Sequence, residues 1–126
     1  MGGQRLDETT IIAEEVARQD QMWGDANERA DVSQNQLIKA ALAQLQETSR
    51  KASGSPSAFD QVPPIYPPTW SGFRDYGSIT ANLAVVAAYC QNEIKRRLLA
   101  GEEHFRRPRD WKAEPYDDKN TPYVAK

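Results

Sequence analysis

The sequence predicts an all-α fold, a small bundle of three principal helices completed by oligomerisation. Three observations carry this. The stretches 8–23, 34–49 and 78–101 each repeat their apolar residues on the 3.6-residue period of an α-helix. Each has capping residues at its ends. Between the second and third lies a long proline- and aromatic-rich connection with no helical period. At 126 residues the chain is read as one helical domain over 1–104, followed by an extended tail, 105–126. Three helices at this size leave apolar faces incompletely covered, so a homodimer or larger homo-oligomer is expected to supply the fourth wall.

The first helix, ETTIIAEEVARQDQMW, has Asp7 or Thr9 as cap and Gly24 as terminator. Ile11, Ile12, Val16, Met22 and Trp23 define its apolar face, and Glu15 and Gln19, four apart, fall in the middle of it. A buried carboxylate must be paired, metal-bound or neutralised. Three readings stay open for Glu15: an ion pair with an arginine of another helix, a Mg2+ ligand or general base facing a cleft, or partial exposure. Glu14 is read as a surface partner of Arg18.

The second helix, about 34–49, opens on Ser33 and Gln36 as a capping box and buries Leu37, Ala41 and Leu45. Asp31, just before it, either caps this turn or offers an oxygen ligand from the loop. The connection 50–77 is turn-rich at first and then reads VPPIYPPTWSGF. Tyr66, Trp70 and Phe73 either fill the core or form a wall on which a base stacks.

The third helix is the centre of the bundle. Ser78 caps it, Gly101 follows its end, and Lys95, Arg96 and Arg97 sit where the helix dipole favours cations. Ile79, Leu83, Val86, Cys90, Ile94 and Leu98 form the stripe expected to be buried, with Asn82 and Glu93 on its flank. Cys90 is read as a small hydrophobe within that stripe. The tail is polar, with Arg106, Arg107 and Arg109 as a small basic group, and is expected to wrap the bundle or a neighbouring subunit.

A net charge of -2 offers no general attraction for nucleic acid or an anionic membrane. A single cysteine excludes an intrachain disulfide, and a single histidine, His104, excludes a His-rich zinc site. No apolar run has the length of a membrane span and the start lacks a signal-peptide core, so a cytoplasmic location is expected. Acidic residues concentrate in the first quarter of the chain, which suits a divalent-metal site as well as a solvated helix face.

In order, EVARQDQMWG, NQLIKAALAQL, IYPPTW and NLAVVAAYCQNEIKRR resemble the short motifs of small phage and bacterial relatives of the MazG-like all-alpha nucleoside triphosphate pyrophosphohydrolases. The resemblance runs from about Ile11 to Leu99. It matches Glu15, Arg18 and Gln19 to an acid, a base and a glutamine in the first helix. Gln36, Leu37, Ala40 and Ala41 match the opening of the second, and Asn82, Leu83, Glu93 and Ile94 the third.

The resemblance implies hydrolysis of ribo- or deoxyribonucleoside triphosphates to monophosphate and pyrophosphate, with Mg2+ (or Mn2+) held by carboxylates. Glu15 and Glu93 are the acids expected at the metal and in catalysis, with Asp31 as a further metal ligand. Gln19, Gln36, Asn82 and Trp70 are the expected contacts to the nucleotide substrate. Two departures stand out: Gln36 and Asn82 are amides where the resemblance places carboxylates, keeping the shape but not the charge that Mg2+ prefers. Asn82 and Glu93 are also three turns apart, about 16 Å along the helix. The alternative is a non-catalytic relative, in a host cell's cytoplasm if phage-encoded, that binds a nucleotide or a host protein. It predicts no acids within reach of a common ion and an exposed aromatic or apolar patch around Trp70, Trp111 or Tyr116.

Overall fold

A computed structural model describes residues 7–24 and 35–101. Within them the fold is all-α: α1 (Glu8–Trp23), α2 (Gln36–Ala52) and α3 (Ile79–Leu99), with no strand among the described residues. None of these helices is long and apolar enough to cross a membrane.

The ends of α1 and α3 follow from their caps. Asp7 accepts from the Thr10 amide at 2.8 Å, and Gly24 closes α1 at φ 86°, a conformation that glycine adopts without a Cβ penalty. Ser78 accepts from the Ala81 amide at 3.0 Å, satisfying one of the amides that the first turn of α3 leaves open. Ser78→Ala is expected to cost about 1 kcal/mol, read from the midpoint of a urea transition.

Helix α2 begins and ends later than expected. Asn35 stands before it at φ 68°, with no side-chain cap hydrogen bond, and Gln36 is its first helical residue. Gln36 therefore does not hold the third helical position that a capping box requires. Ser33 lies outside the described residues.

Helix α3 packs against both α1 and α2. It runs antiparallel to α2: Gln44 meets Asn82 toward one end of the pair, and Arg97 reaches Asn35 at the other, 3.1 Å away. Leu37, Ala40, Ala41 and Ala43 of α2, Val85 and Tyr89 of α3, and Tyr66 of the connection form the core. Tyr66 meets Trp70 edge to face at 6.2 Å, and Trp70 lies 6.3 Å from Tyr89. The aromatic half of the connection is thus packed down as core.

The buried face of α3 is not the stripe that the periodicity picks out. Asn82, Ala84, Val85, Ala88, Tyr89, Asn92 and Glu93 are buried, whereas Leu83, Ile94, Leu98 and Cys90 are exposed. In α2, Leu37 and Ala41 are buried as expected, together with Ala40, Ala43 and Gln44, but Leu45 is 43% exposed. The reason is steric. Alanines let helix axes approach closely, and aromatic rings from the connection and Tyr89 fill the remaining volume. In α3 a periodicity weighted by bulky aliphatic residues selects the opposite face.

Candidate functional site

On α1, Gln19 is 3% exposed and Glu15 is largely buried, as their place on the apolar face implies. Glu15 accepts from Arg18 Nε at 2.9 Å, from Arg18 Nη2, and from Gln19 Nε2 at 3.0 Å. The Gln19 carbonyl in turn accepts from Asn92 Nδ2 at 3.3 Å, so a polar chain runs from Glu15 across the α1/α3 seam. The arginine comes from the same helix, not from another one, and Arg18, expected to serve Glu14, is engaged by Glu15. Its guanidinium lies 5.2 Å from the Tyr76 ring centre. The hydrogen bond to Glu15 raises the Arg18 pKa above its ordinary value, so the guanidinium stays charged.

Glu93 is closed in the same way. It accepts from Arg96 Nε at 2.9 Å and Nη2 at 2.8 Å, and from Arg97 Nε at 2.6 Å. Arg97 also donates to Asn35, so Glu93 ties the end of α3 to the start of α2. Burial alone would raise the Glu93 carboxyl, but the hydrogen bonds and charges of the two arginines outweigh it and hold it below its ordinary value of 4.5.

A depressed carboxylate pKa stabilises the fold above the unfolded-state value, and that contribution is lost as pH falls through the folded one. Asp75, held down to about 2 first by its bond from Lys51 and then by Asn82 and the Gly77 amide, acts with the same sign. The melting temperature is therefore expected to hold steady from pH 7 to about 5 and to fall below about pH 4. E93Q is expected to flatten that fall, as melts in a pH series would show.

Asn82 is fully buried, and both ends of its amide are used. Oδ1 accepts from Gln44 Nε2 at 2.9 Å and from the Tyr76 amide at 2.8 Å, while Nδ2 donates to Asp75 Oδ1 at 3.0 Å. Gln44 Nε2 also donates to the Arg74 carbonyl at 2.8 Å, and Lys51 Nζ donates to both Asp75 oxygens at 2.7 and 2.9 Å. Together these bonds pin 74–77 onto α2 and α3. An ionised aspartate could not donate to Asp75, so position 82 needs an amide for a structural reason.

Gln36 sits two turns before Gln44, about 12 Å along α2, and does not join Asn82. Its Oε1 is buried without a hydrogen-bond partner among the described residues. Trp70 packs between Tyr66 and Tyr89. Asp31 lies outside the described residues, as do His104, the Arg106–Arg109 basic group, Trp111 and Tyr116.

Among the described residues no three His, Cys, Asp or Glu side chains are placed to hold a metal ion. Glu15 and Glu93 take their bonds from arginines of their own helices, and a divalent ion would have to displace those guanidiniums. The described donor set does not fit Mg2+.

The described residues instead present an apolar groove of about 370 Å3 between α2 and α3. Ile38, Leu42 and Leu45 line one side and Val86, Cys90 and Ile94 the other, with Glu93 and Arg97 at its edge. Burial pushes the Cys90 thiol above its ordinary pKa, which leaves little thiolate at neutral pH for nucleophilic chemistry. The residue that the sequence reading missed is Gln44. Its signal was present, since Gln44 continues the Leu37–Ala41 face by three residues and is a polar side chain on a buried stripe, as Glu15 and Gln19 are.

The chain matches no family model, and neither a curated protein nor a solved structure matches it.

Proposed function

We propose that this chain is a non-catalytic protein-binding bundle that works through the outward face of α2 and α3. The observation that supports it is the apolar surface these helices turn outward: alanines and amides make up much of the buried face, while Ile38, Leu42, Leu45, Val86 and Ile94 line an open groove. Exposed apolar surface of this kind marks protein interaction sites. The two acids that hydrolysis would require, Glu15 and Glu93, serve as anchors for Arg18, Arg96 and Arg97.

The rival reading, Mg2+-dependent hydrolysis of nucleoside triphosphates, needs both acids released from their arginines and a further ligand such as Asp31. The test is pyrophosphate release from a panel of ribo- and deoxyribonucleoside triphosphates with Mg2+ or Mn2+. The wild-type chain is expected to release no more than E15Q/E93Q. Release that disappears in E15Q/E93Q would overturn the non-catalytic reading.

A further inference from the structure

Residues 72–77, which end the connection, lie as a strap against the core. Tyr76 Oη donates to the Gly72 carbonyl at 2.7 Å and closes the strap on itself, and the Phe73 ring packs 5.4 Å from that of Tyr66. On the outside Arg74 and Asp75 are exposed, and the guanidiniums of Arg18 and Arg74 lie 5.2 and 5.1 Å from the Tyr76 ring centre. Among the described residues no backbone–backbone hydrogen bond joins 72–77 to a helix. The strap is tied down by side chains instead: Gln44, Lys51 and Asn82.

Beside it lie polar atoms that the closed strap leaves without partners. Tyr66 is 3% exposed and Tyr89 1%, and neither hydroxyl has a hydrogen-bond partner among the described residues. Gln44 Oε1 is a third such atom, on the amide whose nitrogen holds the strap's Arg74 carbonyl. Burial raises the pKa of both phenols, and the neighbouring Tyr76 phenol of the strap adds to the rise. A buried hydroxyl without a partner has lost its hydration and gained no bond in return, so closure of the strap is opposed by the groups it shuts in.

We infer that 72–77 is a strap poised to open: it lifts from α2 and α3 while the three helices stay folded, and its opening hydrates the hydroxyls of Tyr66 and Tyr89. Gly77, at φ 112°, stands between the strap and the Ser78 cap of α3 and supplies the joint. Asn82 and Lys51 favour the closed form and the two phenols favour the open one, so opening takes far less free energy than unfolding the bundle. Open, the strap presents to solvent the Tyr66 phenol that the closed bundle conceals.

Amide hydrogen exchange in the 15N-labelled full chain tests this, under conditions in which exchange reports the opening equilibrium. The amide at position 76, bonded to Asn82, reports the strap, and that of Ala88, 0% exposed within α3, reports unfolding of the bundle. In the wild type the amide at 76 is expected to exchange at least about 100-fold faster than that of Ala88. Y66F and Y89F each remove an unpartnered hydroxyl, and each is expected to slow exchange at 76 by about 5-fold with helical circular dichroism unchanged. K51M removes a tie between α2 and the strap and is expected to speed it by about 3-fold. Exchange at 76 as slow as at Ala88 in the wild type overturns the inference, because the strap then opens only when the bundle unfolds. So does exchange at 76 that is unchanged or faster in Y66F and Y89F, because opening then does nothing for the hydroxyls.

Discussion

Asn82→Ala is expected to lower the unfolding free energy by about 3 kcal/mol, a large share of the 5–15 kcal/mol available to a small domain. Asn82 is fully buried and is the one side chain that bonds Gln44, the Tyr76 amide and Asp75 together. Removing its amide leaves the Tyr76 N–H without this acceptor, at a cost of about 1–3 kcal/mol, and opens a cavity that adds to it. Equilibrium urea unfolding would measure the loss, with an unchanged slope showing that the native state is otherwise intact.

Asn82→Asp puts the meaning of the amide to a sharper test. It restores the carboxylate that the family resemblance places there and sets it about 3.0 Å from Asp75 Oδ1, where Asn82 Nδ2 now donates. Two such carboxylates repel, so the folded-state pKa of the new acid is raised. With a raised folded pKa the penalty grows as pH rises above the unfolded value and fades as pH falls. N82D is therefore expected to be strongly destabilised at pH 7 and close to the wild type near pH 4. A variant that is stable at pH 7 in the presence of Mg2+ alone would instead argue for a latent ion site.

The second large effect is expected at Tyr89, the largest fully buried side chain among the described residues, 1% exposed. Its ring closes the space between α3, Trp70 and the Leu37–Ala41 face of α2. Tyr89→Ala is expected to cost about 3–5 kcal/mol, because alanine neighbours cannot move in to fill the hole. Burial raises the Tyr89 hydroxyl pKa, so the phenol stays neutral at all ordinary pH. Y89F keeps the ring and is expected to retain most of the stability, which separates packing from the hydroxyl. Denaturant midpoints of the two variants, compared with the wild type, would check both statements.

How far the sequence could be read follows from the range of each signal. The ends of α1 and α3 were legible because Asp7, Gly24, Ser78 and Gly101 act within one turn of their own helix. The buried polarity of Glu15 and Gln19 was legible because bulky Ile12 and Val16 mark the same face. The orientation of α3 was not, and in α2 the expected stripe held at Leu37 and Ala41 but not at Leu45. Their inward faces are built from Ala40, Ala43, Ala84 and Ala88, which carry little weight in a hydrophobic pattern, and the rings that complete the core come from a distant connection. Asn82 and Glu93 were placed on the flank for the same reason, and both are buried. The start of α2 was shifted by Asn35, whose left-handed backbone breaks the helix where the Ser33–Gln36 pattern would begin it.

That Glu15 and Glu93 hold arginines and no metal is tested most directly by titrating Mn2+ into the 15N-labelled chain and following amide intensities. A bound paramagnetic ion broadens the amides around it. The expected result is that amides near Glu15, Gln19 and Glu93 keep their intensity to millimolar Mn2+ while exposed acids such as Glu8 show only weak, unsaturable loss. Selective, saturable broadening centred on both Glu15 and Glu93, relieved by excess Mg2+, would contradict it.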